Sequence, residues 1–81
     1  MKNMSLNNDV FYAKLASVVE FHRKKSGLNR IELAALAGVG KTVIYDIEHA
    51  KPTVRLSSII KNLDVLNITV ELDGTLMRNL F

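Results

Sequence analysis

The chain has 81 residues, 48% of them apolar, a length that allows one domain with a modest core and excludes the large sheet of a nucleotide-hydrolysing enzyme. It carries no cysteine, which excludes both a disulfide framework and a thiolate metal site, so its stability must come from packing. The net charge is +3, no apolar run suits a membrane span, and the first residues lack the apolar core of a secretory signal, so we expect a cytoplasmic protein.

The N-terminal residues are polar and aperiodic, which predicts a flexible arm over residues 1–8. Asn8 or Asp9 is expected to cap a first helix that runs to about Ser26 and stops at Gly27. The apolar positions of this helix recur at helical spacing, at Phe11, Leu15, Val18, Val19 and His22. We expect this stripe to pack into the core.

A second, shorter helix is predicted over residues 30–37. Asn29 stands at the capping position and Glu32 stands three residues later, which is a variant of the capping box. The segment is rich in helix formers, and Gly38 ends it after about two turns.

The run ALAGVGKT, residues 35–42, differs from the phosphate-binding loop pattern G-x-x-x-x-G-K-[ST] only by alanine at its first position. A loop of that kind follows a buried strand, whereas the residues before Gly38 have the pattern of a capped helix. Residues 68–73 alternate too strictly and lie too near to serve as its Mg²⁺-binding strand. We therefore expect no nucleotide, no metal and no other cofactor.

The third predicted helix, over residues 41–49, divides into two faces when it is laid out at about 100° per residue. One face is apolar, and Glu48 lies on the border between the two. The other face carries Lys41, Thr42, Tyr45, Asp46 and His49. Such a helix, behind a short helix and a glycine turn, is typical of a helix-turn-helix motif, whose second helix enters the major groove of DNA. We assign the motif to residues 30–49; the alternative is an ordinary solvated helix face.

Residues 51–53 interrupt the chain, and Thr53 is expected to cap a fourth helix. The apolar stripe of this helix, expected to close the core, is Leu56, Ile59, Ile60 and Leu63. The period then changes to two in a predicted strand over residues 67–74, where Ile68, Val70 and Leu72 face one way. Because the sequence offers no second strand, we predict that this strand pairs with its copy in a homodimer.

The segment FHRKKSGLNRIELAALAGVGKTVIYDIEHAKPTVRLSSIIKNLDVL resembles the Cro and phage-repressor (XRE) helix-turn-helix family. The resemblance implies an all-α, lambda-repressor-like bundle of four to five helices over residues 9–66, with a structural ion pair between Arg23 and Glu48. Two positions depart from the family pattern. Arg30 replaces a common phosphate-contacting glutamine, and Gly40 replaces the usual serine or threonine cap of the third helix.

The segment NITVELDG, residues 67–74, resembles HipB-type antitoxins and their Y4mF-like relatives, whose C-terminal strands pair across the dimer. This resemblance implies a repressor of its own operon that also binds a HipA-like serine/threonine kinase toxin. The alternative is a kinase-inhibiting adaptor that does not read DNA and uses the tail, residues 75–81, which is apolar at Leu76, Met77, Leu80 and Phe81. We expect no enzyme, because two histidines and no cysteine offer no persuasive catalytic group.

Basic residues are concentrated in the middle of the chain, where residues 23–55 carry seven basic and three acidic side chains. This excess favours double-stranded DNA as the partner, although solvated surfaces often show a similar excess. Candidates for phosphate contacts are Lys24, Lys25, Arg30, His49, Lys51 and Arg55, and candidates for base contacts are Lys41, Thr42, Tyr45 and Asp46. Packing of Tyr45 against a neighbouring helix is the alternative for that residue. A homodimer would read an inverted repeat with half-sites one helical turn, about 34 Å, apart or a multiple of that distance.

Overall fold

The computed structural model describes residues 8–71 and contains four helices. They are α1 (Asn8–Lys25), α2 (Arg30–Ala37), α3 (Lys41–Glu48) and α4 (Leu56–Val65). The predicted helical bundle is therefore confirmed over this part of the chain. Three parts of the prediction lie outside the described residues: most of the N-terminal arm, residues 72–74 of the strand, which include Leu72, and the tail over residues 75–81. None of the four helices is long and apolar enough to cross a membrane.

Local signals set both ends of α2 as predicted. The Asn29 side chain accepts a hydrogen bond from the Glu32 N–H at 2.7 Å, and the Glu32 carboxylate accepts one from the Asn29 N–H at 2.8 Å. Gly38 ends the helix in the left-handed conformation, at φ 72°, a conformation that glycine adopts without the steric penalty other residues meet. This reciprocal cap holds the start of α2 at a defined point, so Arg30 follows in a fixed position.

The core is built from all four helices. Its most deeply buried side chains are Val19 of α1, Leu33 of α2 and Ile44 of α3, each with no exposed surface, and Ile59 and Leu63 of α4 close it. The helix α2 packs against both α3 and α4, and α1 packs against α3. The motif helices α2 and α3 are therefore held from behind by the rest of the bundle.

The inner face of α4 differs from the predicted stripe. Ile59 and Leu63 are buried as expected, but Leu56 and Ile60 are 65% and 55% exposed, whereas the polar residue Asn62 is fully buried. Asn62 can be buried because its Nδ2 donates a hydrogen bond to the Ser58 carbonyl at 2.7 Å, one turn earlier. Its Oδ1 has no hydrogen-bond partner among the described residues, so the surrounding apolar contacts must offset that cost.

Two further predictions about the helices are wrong in detail. The cap of α4 is Arg55 rather than Thr53, because Val54 packs against the core and the helix begins only after it. Phe11, placed on the inner stripe of α1, is 50% exposed, because it lies in the open groove at that end of the helix. Leu15 and Val19 on the same stripe are buried.

The chain beyond α4 forms no strand within residues 67–71. Asn67 adopts a left-handed conformation, at φ 61°, and the Ile68 N–H donates a hydrogen bond to the Leu63 carbonyl at 2.8 Å, which ends the helix. A strand requires a neighbouring strand to complete its ladder, and a single copy of the chain supplies none over these residues. Strand pairing across a dimer stays a prediction.

Candidate nucleic-acid interface

The helix α3 is sharply two-sided. Ile44 and Ile47 are buried in the core, with 0% and 2% of their surface exposed. The opposite side, here called the α3 face, consists of Lys41, Thr42, Tyr45, Asp46 and His49. Four of these residues are exposed and Asp46 is half-buried. The predicted base-contact candidates therefore share one accessible surface.

A buried carboxylate fixes the end of α3 against the two helices in front of it. Arg23 Nε donates to Glu48 Oε2 at 2.6 Å, and Arg30 Nε donates to Glu48 Oε1 at 2.9 Å. Arg23 also donates through Nη2 to Glu48 Oε1 at 3.1 Å and through Nη1 to the Leu28 carbonyl at 2.9 Å. The Glu48 side chain is only 1% exposed, and its hydrogen bond raises the pKa of Arg23. The ion pair implied by the family resemblance is present and has a second arginine.

The role of Arg30 in this network is the part that the sequence did not indicate. It was expected to reach a phosphate, yet its Nε is bound to Glu48 and its guanidinium carbon lies 5.3 Å from the centre of the Tyr45 ring. Arg30 and Glu48 are 18 positions apart, so no local pattern relates them. The one sequence feature that sets this position apart is that Arg30 replaces the glutamine common in the family.

Tyr45 and His49 form a stacked pair on the α3 face. Their ring centres are 3.7 Å apart and the ring planes are inclined by 17°. The His49 Nδ1 lies 2.8 Å from the Tyr45 carbonyl oxygen, one turn earlier. Since a carbonyl only accepts hydrogen bonds, Nδ1 carries the proton and Nε2 is left as the ring's other polar atom. His49 is thereby oriented by the helix itself.

The other basic candidates differ in the contacts that they make. Lys24 forms an exposed ion pair with Glu20 at 3.0 Å, which lowers the pKa of Glu20, and Lys25 lies 5.8 Å from the Phe21 ring centre. Lys41, Lys51 and Arg55 are exposed and make no ion pair within residues 8–71. Asp46 and Arg55 line one groove between α3 and the start of α4. Within residues 8–71, no group of three or more His, Cys, Asp or Glu side chains could hold a metal ion.

Two short helices in this arrangement, with the second exposed along one side, define a helix-turn-helix protein. The sequence comparison agrees, since residues 21–72 match the family described as Helix-turn-helix, and the chain belongs to this XRE-type family of DNA-binding regulators. It is also similar to a protein of Sinorhizobium fredii described as the uncharacterized HTH-type transcriptional regulator y4mF. The two are 33% identical over 60 residues, which cover 74% of this chain and 79% of that protein. The predicted XRE-type family is thus confirmed, whereas the HipB-like subtype stays a prediction.

Proposed function

We propose that the protein is a sequence-specific transcriptional repressor that inserts the α3 face into the major groove of double-stranded DNA. The observation that carries this proposal is the division of α3, whose inner residues are buried while the α3 face is open to solvent. The buried Glu48 network adds rigidity at the end of the same helix. A reading helix needs both properties, because base contacts require side chains held in fixed positions.

The side chains of the α3 face have the chemistry for reading bases. Lys41 supplies donors for guanine O6 and N7, Thr42 supplies a methyl group for thymine, and Tyr45 supplies a hydroxyl and a ring. Asp46 could accept a hydrogen bond from a cytosine amine. The exposed cations outside this face, at Lys24, Lys25, Lys51 and Arg55, are suited to phosphates and would set the register of the helix in the groove.

Replacing Lys41 by alanine and replacing Lys51 by alanine should weaken DNA binding in two different ways. We expect Lys41→Ala to cost about 1 to 3 kcal/mol on the operator and to relax selectivity at one base pair. Lys51→Ala should weaken binding to all sequences alike. It should also make the slope of log affinity against log salt concentration shallower by about one unit. Gel-shift titration on the promoter upstream of the gene and on random DNA, at two salt concentrations, measures both effects.

The two lysines are matched controls for each other, because both are exposed and neither is in an ion pair within the described part of the chain. If both substitutions cause the same loss on promoter and random DNA, Lys41 does not read a base. If the unsubstituted protein does not prefer its promoter over random DNA, the repressor proposal itself is wrong.

A second copy of the chain is the proposed occupant of an apolar groove on the side of the bundle formed by α1 and α4. The groove has a volume of about 550 Å³, and its apolar lining includes Val10, Phe11, Leu15, Val18, Ile68 and Val70. Three of these side chains, Val10, Phe11 and Val70, are about half exposed. Residues 68–71 form one wall and begin the alternating segment predicted to pair as a strand. A two-fold dimer would cover this wall and pair its backbone in the same step.

Replacing Val70 by aspartate should convert the proposed dimer to a monomer. In sedimentation equilibrium, the wild-type chain is expected to show twice the 9.1 kDa mass of one chain, whereas Val70→Asp should show 9.1 kDa. The reason is that two-fold symmetry would bury the two added carboxylates together. Leu36→Asp is the matched control, since Leu36 is exposed to a similar degree on α2, away from the groove. A monomeric wild-type chain, or a dimer that survives Val70→Asp, would contradict this interface.

A HipA-like serine/threonine kinase toxin is the proposed protein partner, with autorepression of a shared operon as the outcome. Support comes from the likeness of residues 67–74 to HipB-type antitoxins. Co-expression with the product of a neighbouring kinase-like reading frame, followed by copurification, tests this partner. A complex that forms without any promoter binding by the free chain would favour the alternative, a kinase-inhibiting adaptor.

A further inference from the structure

Arg30, Tyr45 and His49 form a continuous stack that connects the buried ion-pair network to the α3 face. The guanidinium carbon of Arg30 lies over the Tyr45 ring at 5.3 Å from its centre, and the His49 ring lies at 3.7 Å. A phenol ring interacts favourably with an imidazole stacked on it and with a guanidinium within about 6 Å of its centre. The Tyr45 ring thus interacts with two side chains, Arg30 and His49, while 49% of the residue stays exposed.

Each side of this stack is fixed independently. Arg30 cannot swing away without breaking its 2.9 Å bond to Glu48, whose carboxylate is buried and also held by Arg23. His49 is held by the hydrogen bond from its Nδ1 to the Tyr45 carbonyl. Tyr45 therefore has far less rotational freedom than a side chain that is 49% exposed would ordinarily keep.

We propose that Arg30 is a positioning residue for Tyr45, and that operator selectivity at the base pair facing Tyr45 depends on it. This inference rests on the proposed DNA-binding role of the α3 face. It replaces the expectation that Arg30 acts alone as a phosphate contact. Arginine suits the position because its planar group can donate to a carboxylate through Nε while its face covers an aromatic ring, and a lysine ammonium cannot do both.

The decisive substitution is Arg30→Lys, which keeps the positive charge but loses the planar group. We expect it to reduce the ratio of promoter to mismatched-promoter affinity about two- to fivefold, the range expected for loss of one exposed cation–π contact. The salt dependence should stay unchanged, since the charge near the phosphates is kept. In a Tyr45→Ala background the same substitution should have no further effect on the ratio, which is the signature of coupled residues.

Lys61→Arg serves as the control for an exchange of lysine and arginine, because Lys61 is exposed on α4, has no proposed DNA contact, and makes no ion pair or ring contact within the described part of the chain. It should leave the affinity ratio unchanged. The positioning role is overturned if Arg30→Lys lowers the ratio equally with and without Tyr45. A second result would also overturn it: Arg30→Lys leaves the ratio of promoter to mismatched-promoter affinity unchanged, while Arg30→Gln makes the slope of log affinity against log salt concentration shallower by about one unit. That result is expected if Arg30 only contacts a phosphate.

A second measurement needs no DNA and separates this inference from the repressor proposal. Stacking at 3.7 Å places the His49 ring protons in the shielding zone of Tyr45, so their NMR signals should be shifted upfield in the 81-residue chain. Arg30→Lys should reduce that shift, because a freer tyrosine ring spends less time stacked. An unchanged His49 shift overturns the positioning role even if promoter binding is observed. Loss of the shift without any promoter binding supports the positioning role and contradicts the repressor proposal.

Discussion

Replacing Glu48 by alanine should destabilise the folded protein by about 3 to 5 kcal/mol, the range for removing one partner of a buried ion pair. The Glu48 side chain is 1% exposed and accepts hydrogen bonds from both Arg23 and Arg30. Its loss leaves the Arg23 guanidinium, itself 9% exposed, without a counter-charge. Small domains are stable by only about 5 to 15 kcal/mol in total, so urea unfolding should show a midpoint shifted far towards zero denaturant.

Two further variants identify the cause of that loss. The double variant Arg23→Met/Glu48→Leu should recover much of the stability, because it removes both buried charges and fills the space with apolar groups. Glu20→Ala breaks an exposed acid–base contact of α1, with Lys24, and because both partners are exposed, unfolding should be nearly unaffected. Equal effects of Glu48→Ala and Glu20→Ala would mean that burial does not set the strength of the Glu48 network.

The parts of the fold that could be predicted are those in which cause and effect lie close together in the chain. Asn29 and Glu32 cap the start of α2 from within the same four residues. Gly27 and Gly38 adopt left-handed conformations at the ends of α1 and α2. The division of α3 also follows from local periodicity, because buried and exposed positions alternate every three to four residues.

The errors arise where distant residues decide the outcome. The hydrophobic pattern predicts Ile60 in the core and does not indicate Asn62, whereas in the folded bundle Asn62 is buried and Ile60 is 55% exposed. The residue that caps α4 is Arg55 and not the predicted Thr53, because Val54 packs against the core. Neither effect is present in the local sequence pattern.

The candidate site likewise has features that follow from the local sequence and features that depend on distant residues. Which residues lie on the α3 face is a property of one helix, and the periodicity indicated them. That Arg30 shares Glu48 with Arg23 and covers the Tyr45 ring depends on how α2 crosses α3, which only the tertiary structure supplies. The pairing of residues 67–74 requires a second chain, so it stays a prediction that rests on sequence pattern and resemblance.

Replacing Ile44 by alanine should destabilise the protein by about 2 to 5 kcal/mol, because Ile44 has no exposed surface and its truncation leaves a cavity among all four helices. Ile44 points away from the α3 face, so the fraction of protein that remains folded should bind its promoter with unchanged selectivity.

Thr42→Ala is the matched control on the same helix. Thr42 is exposed, so its loss should change stability by no more than about 0.5 kcal/mol while weakening promoter binding. Urea unfolding and promoter titration, corrected for the folded fraction, separate the two effects. If Ile44→Ala alters selectivity, or Thr42→Ala costs as much stability, then α3 does not divide its scaffold and reading roles between its two faces.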